Sequence, residues 1–131
     1  MKVKDLTRAA HYLSPDASVS EAAELMLGKK VSAALVGKKE EVQGIVTERD
    51  LLRFVAKCVD VSRTKVKIVM HCPVISIDGE QGVMDAGKLM EKHDIRHLAV
   101  TDKAGQIMGL ISAKMISRNQ VRVWQGRTLF D

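Results

Sequence analysis

Aromatic side chains are scarce in this chain. Of its 131 residues only Tyr12, Phe54, Trp124 and Phe130 are aromatic. A core must therefore be built from Val, Ile, Leu, Ala and Met, and a surface that stacks successive nucleic-acid bases has few platforms to use. Cysteine is scarcer still. Cys58 and Cys72 are too few for a disulfide scaffold, and their spacing matches no zinc motif. No apolar run approaches the ~18 residues of a membrane helix. Lys4, Asp5, Arg8, His11 and Asp16 interrupt the stretch where an export signal needs a continuous apolar segment. The expectation is a cytoplasmic chain, with no membrane partner and both thiols reduced. There is no phosphate loop of the Gly-x-x-x-x-Gly-Lys type, no Cys-x-x-Cys and no nucleophile with its base, so no enzyme and no metal site are expected.

Hydrophobic residues make up 46% of the chain, enough for a packed core and too many for disorder. Lys and Arg number 21 against 16 Asp and Glu, a net charge of +5. The positive residues are scattered, and the densest group, Arg63-Thr64-Lys65-Val66-Lys67, has no aromatic interleaving. A weakly positive surface suited to small anions competes with a nucleic-acid partner, which is the less expected of the two.

The decisive pattern is an internal repeat. Ser18-Val19-Ser20-Glu21-Ala22-Ala23-Glu24-Leu25-Met26 aligns with Gly82-Val83-Met84-Asp85-Ala86-Gly87-Lys88-Leu89-Met90, and Val31 to Val36 with Ile95 to Val100. One residue later in register, Gly44-Ile45-Val46-Thr47-Glu48-Arg49-Asp50 aligns with Gly109-Leu110-Ile111-Ser112-Ala113-Lys114-Met115. The extra residue falls in a turn, where insertions are tolerated. The chain divides into two copies, residues 1–62 and 63–131.

Each copy reads β-α-β-β-α. A short strand (Ala10 to Ser14; Val74 to Ile77) precedes a helix opened in the first copy by a Ser18/Glu21 capping box and closed by Gly28 in a left-handed conformation. Two apolar strands follow, Val31 to Val36 and Val42 to Val46, matched by Ile95 to Val100 and Gln106 to Ile111. A second helix starts near Thr47, with Leu51, Leu52, Val55 and Val59 predicted as its apolar face. The residues after the second copy, with Val121, Val123, Trp124, Leu129 and Phe130, are too apolar for a free end. The fold class is α+β.

The run Gly44 to Asp50 resembles the signature of the CBS domain, named after cystathionine β-synthase. That signature is a Gly, two hydrophobics, Thr or Ser, two variable residues and an Asp. Met70-His71-Cys72-Pro73-Val74 and Ile95 to Asp102 are similar to other segments of the same family. The resemblance spans roughly residues 1 to 120. It implies a tandem CBS pair with pseudo-two-fold symmetry and clefts between the repeats. It also implies a homodimer and a regulatory role: binding an adenosyl ligand such as AMP, ADP, ATP or S-adenosylmethionine so that a separate, regulated protein senses it.

Two readings of Thr47 and Asp50 compete. One makes them a helix cap, since Thr-x-x-Asp at a strand-to-helix turn satisfies orphan N–H groups. The other makes them ligand contacts: the hydroxyl donates to a phosphate or ribose oxygen, the carboxylate accepts from ribose hydroxyls, and the helix N-terminus favours an anion. The resemblance favours the second and adds Ser32, Ala33, Ile45 and Arg49 to the expected site, with Ala33 and Ile45 lining an adenine slot. It also implies that Arg96, His97 and Lys114 supply positive charge for phosphate. The second copy has Ser112 but Met115 in place of Asp50, and methionine cannot accept a ribose hydroxyl. One nucleotide per chain, AMP first, is therefore expected, with a dimeric scaffold lacking any small ligand as a further alternative.

Overall fold

The computed structural model describes residues 1–119; the apolar positions at 121–130 lie outside them. The described chain contains two three-stranded sheets with strand orders β1-β2-β3 and β4-β5-β6, each served by its own helices, and is mixed α+β. It divides into two compact units. A continuous unit spans Ala10–Val74, and a split unit joins Met1–Ala9 to the chain from Ile75 onward.

In the continuous unit, β1 (Tyr12–Leu13) runs parallel to β2 (Ala33–Lys38), which pairs antiparallel with β3 (Glu41–Thr47). Helix α1 (Val19–Lys29) starts as expected. The Ser18 hydroxyl accepts the Glu21 N–H at 3.1 Å, and the Glu21 carboxylate accepts the Ser18 N–H at 3.2 Å. Its end differs from expectation. Gly28 lies inside the helix, and the left-handed residue is Lys30 at φ 56°. The Met26 carbonyl accepts the Lys30 and Val31 N–H groups there, so hydrogen bonding carries the helix past the glycine to a residue without its conformational freedom. Helix α2 (Glu48–Ala56) also differs. It buries Asp50 and Phe54 and half-buries Leu51, while Leu52 and Val55 are 72% and 68% exposed. Asp50 and Phe54 are four apart and share one face; anchoring the carboxylate inward turns Leu52 and Val55 outward.

A short helix, α3 (Val66–Val69), follows on the 63–74 segment. Val66 is fully buried in the aliphatic cluster of Leu13, Ala22, Met26, Ala34, Val36 and Val46. The segment is also pinned electrostatically. Asp16 pairs with Lys67 at 2.9 Å and Lys65 at 3.4 Å, and hydrogen bonds from Lys67 and then Lys65 hold its carboxyl below the ordinary aspartate range.

The split unit repeats this plan. It comprises β4 (Ser76–Asp78), parallel to β5 (His97–Thr101), which is antiparallel to β6 (Ile107–Ser112). Helix α4 (Val83–His93) and a helix at 113–119 complete it. The one-residue register change falls between paired strands, in the turn at 102–106 against that at 39–40. A 3-10 helix, Val3–Leu6, takes the place that α3 holds in the other unit: Val3 is fully buried among Ile77, Val83, Met90, Leu98 and Ile111. The correspondence extends to the backbone. Val83 N–H donates to the Met1 carbonyl at 3.1 Å as Val19 N–H donates to that of Thr64 at 3.0 Å. The folded units thus cut across the sequence repeats, because the segment leading into each repeat is seated on the sheet and helix of the other.

Glu80 anchors the leading segment of the split unit through Lys2 at 2.6 Å and Lys4 at 2.8 Å. Hydrogen bonds from Lys2, then Lys4, lower its pKa from 4.5 to about 2. A depressed carboxylate contributes stability that is complete above its unfolded value and is lost as pH falls through the folded one. Glu80→Gln is therefore expected to flatten the pH dependence of stability between 4.5 and about 2, read by urea unfolding across that range. The pairs are exposed, so high salt should erase most of the difference. An unchanged slope in the variant would show that the pairs do not form.

Candidate functional site around Asp50

Strand β3 ends at Thr47, which pairs with Ala33 on β2 and is the N-cap of α2. Its hydroxyl accepts the Asp50 N–H at 3.3 Å. In return the Asp50 Oδ2 accepts the Thr47 N–H at 2.9 Å and the Thr47 hydroxyl at 3.1 Å. The capping geometry read from Thr-x-x-Asp is present. Glu48 N–H, the next donor of the helix end, goes to the Ser32 carbonyl at 2.9 Å. The Thr47 hydroxyl proton and two N-terminal N–H groups are thus already engaged within the unit.

Asp50 is 3% exposed and is the one buried charged residue among those described. A buried carboxylate requires full compensation, and here the compensation comes from several sides. The helix N-terminus favours negative charge in its first turn. Oδ1 lies 2.8 Å from His71 Nε2 and 3.6 Å from an Arg53 guanidinium nitrogen. The sequence reading did not include His71. The structure ties His71 to Ile45 through two reciprocal backbone hydrogen bonds of 3.0 Å each, which carries the ring to Asp50.

This crossing depends on Gly44. A Cβ there would stand 2.6 Å from Met70 Sδ and 2.8 Å from the His71 carbonyl oxygen, closer than real Cβ contacts. The glycine that opens the Gly-x-x-Thr-x-x-Asp run therefore admits the 70–71 segment beside the helix turn. Gly109 does the same in the split unit, where Arg8 and Leu110 exchange backbone hydrogen bonds of 2.9 and 2.8 Å. Met70-His71 and Thr7-Arg8 are structural counterparts. A sequence signal existed in the Val-Lys pairs at 3–4 and 66–67, which precede the two crossings at matching distance.

Of the nine expected site residues, the continuous unit holds Ser32, Ala33, Ile45, Thr47, Arg49 and Asp50 on the β2 entry, the β3 end and the first turn of α2. Ala33 is buried, Ile45 half-buried and Arg49 exposed. Arg96, His97 and Lys114 belong to the split unit. Arg96 is exposed and its carbonyl accepts the Ala113 N–H at 2.8 Å; His97 begins β5 opposite Ser112; Lys114 is exposed in the 113–119 helix. In that unit Ser112 Oγ accepts the Met115 N–H at 3.2 Å, so the cap persists while the carboxylate is replaced by a half-buried methionine. Among the described residues no three His, Cys, Asp or Glu side chains converge as a metal-binding group, and no helix is long and apolar enough to cross a membrane.

Comparison with known proteins agrees with this architecture. The family model of the CBS domain matches twice, over residues 3–57 and 65–122. The CBS domain-containing protein YhcV of Bacillus subtilis is 32% identical over 121 residues, covering 91% of this chain and 85% of its own. Inosine-5'-monophosphate dehydrogenase of Thermoplasma acidophilum is 31% identical over 115 residues, and this chain spans 22% of that enzyme. The solved structure of the CBS domain protein PAE2072 from Pyrobaculum aerophilum, complexed with AMP, superposes with a TM-score of 0.78 at 25% identity, covering 88% of this chain and 89% of that one. With two copies of the domain matched across nearly its whole length, this chain belongs to the CBS domain family.

Proposed function

We propose that this chain is a non-catalytic regulatory module that binds an adenine nucleotide, AMP first and ADP or ATP as alternatives, through Asp50 of the continuous unit. The observation that carries the reading is the buried Asp50 carboxylate at a strand-to-helix turn, beside the half-buried Ile45 and under an exposed histidine. The AMP complex of the similar protein PAE2072 supports it. Arg49, exposed one residue before Asp50, offers positive charge within the same unit. The reading for Asp50 rests on that unit alone. The Ser112/Met115 turn lacks a carboxylate and is proposed to be silent, which makes one site per chain. The module acts in the cytoplasm on a separate protein. It does so as a homodimer, for which the exposed Leu27, Leu52 and Val55 of the packed helices α1 and α2 supply apolar surface.

Titration calorimetry with AMP, ADP, ATP and S-adenosylmethionine tests the proposal. One site per chain is expected, with Asp50→Ala weakening AMP at least about tenfold, since a hydrogen bond to a charged group contributes about 1.5–3 kcal/mol. Unchanged AMP binding in Asp50→Ala would remove the site assignment. No response to any adenosyl ligand would leave the dimeric scaffold as the reading.

A further inference from the structure

We propose that His71 is the gate of the Asp50 site: its imidazole holds the one carboxylate oxygen that a ribose hydroxyl could use, so it sets both the affinity for nucleotide and the preference for a hydroxylated sugar. The inference rests on the nucleotide reading given above. A carboxylate oxygen accepts about two hydrogen bonds. Asp50 Oδ2 already accepts two, from the Thr47 N–H and the Thr47 hydroxyl. Oδ1 is what remains: His71 Nε2 is hydrogen-bonded to it at 2.8 Å and the Arg53 guanidinium is ion-paired with it at 3.6 Å, so a sugar hydroxyl has to compete with these two, the imidazole first.

Exposure distinguishes the two partners. The Asp50 side chain is 4% exposed and that of His71 is 59% exposed, so the ring is the outer layer and the carboxylate the inner one. The backbone beneath the ring is fixed, because His71 exchanges two hydrogen bonds with Ile45 and Met70 N–H donates to the Val66 carbonyl at 2.8 Å. The ring itself can rotate into solvent without disturbing either strand. Opening the site is then a side-chain rotation, and a sugar hydroxyl replaces the imidazole as donor to Oδ1. The ligand gains one charge-assisted bond only by ending another, which holds down affinity. A nucleotide without sugar hydroxyls neither displaces the ring nor gains from its removal.

The test compares wild type with His71→Ala and His71→Gln. Calorimetry with AMP should show tighter binding in His71→Ala, by about tenfold, the weight of one hydrogen bond to a charged group. 2′,3′-Dideoxy-AMP should bind wild type and variant alike. His71→Gln, which keeps an amide donor, should stay near wild type for AMP. Weaker AMP binding in His71→Ala, or equal gains for both nucleotides, would overturn the gate. Carbodiimide-driven labelling of carboxylates, read by mass spectrometry without nucleotide, separates this from failure of the nucleotide reading. Asp50 should label several-fold faster in His71→Ala than in wild type. If neither protein binds AMP, the nucleotide reading falls while the labelling rate still decides whether His71 covers Asp50; equal rates would overturn the gate.

Discussion

Gly109→Ala is expected to lower stability by about 2–3 kcal/mol, the range of overpacking that the surroundings cannot absorb. A Cβ at this position would overlap the Arg8 carbonyl oxygen and stand 2.7 Å from Thr7 Cγ2. The obstacle is backbone, so no side-chain rotation relieves it. Either β6 moves, or the 1–9 segment lifts away with the two Arg8–Leu110 hydrogen bonds, the buried Val3 and the Lys2 and Lys4 pairs to Glu80. Urea unfolding gives the magnitude, and faster proteolysis within residues 1–9 identifies the second route. Gly87→Ala is the internal control. Gly87 lies within α4 with open space around it, so the same substitution should there stabilise by about 0.5–1 kcal/mol. Equal effects at the two positions would show that the 7–8 segment does not cross Gly109 closely.

Leu98→Ala should destabilise by about 2–5 kcal/mol. Leu98 is fully buried on β5, pairs with Ile111 on β6 and packs in the cluster of Val3, Ile77, Val83, Met90, Val100 and Ile116. No aromatic ring belongs to that cluster, and all of these neighbours except Met90 are β-branched and stiff at χ1. Such a lining collapses poorly onto the vacated volume, which places the cost in the upper half of the range. Leu27→Ala, at a leucine 80% exposed, should change stability by no more than about 0.5 kcal/mol. A shift of the urea midpoint at unchanged slope is the readout; a small loss at Leu98 would mean the cluster is loosely packed.

Much of this fold was legible in the sequence because its signals are local. The offset alignment located every strand and helix of the two β-α-β-β-α runs. The Ser18/Glu21 and Thr47/Asp50 spacings gave both capping boxes, since a cap is made within four residues. The misreadings have a common cause. Gly28, Leu52 and Val55 were assigned from local preference, yet the Met26 carbonyl and the inward Asp50 decided where α1 ends and which face α2 buries. His71 was missed for a longer-range reason. It precedes the second repeat in sequence but lies on β3 of the first, and periodicity carries no information about which sheet a leading segment covers.

That crossing has a consequence for the order in which the chain can acquire its structure. The Ala10–Val74 unit is contiguous, so every group it needs has been made once residue 74 leaves the ribosome, and even its long closures, such as Pro15 to Lys67, fall within that stretch. The other unit must join residues 1–9 to partners that follow residue 74 in sequence, for example Val3 to Gln81. Its two parts meet only after a loop closure whose entropic cost grows with the logarithm of the intervening length. Duplication made the halves alike in sequence, but synthesis makes them unlike in time. The continuous half is complete when it emerges; in the split half, residues 1–9 wait for the chain from residue 75 onward, so a segment made before the continuous half is put to use after it.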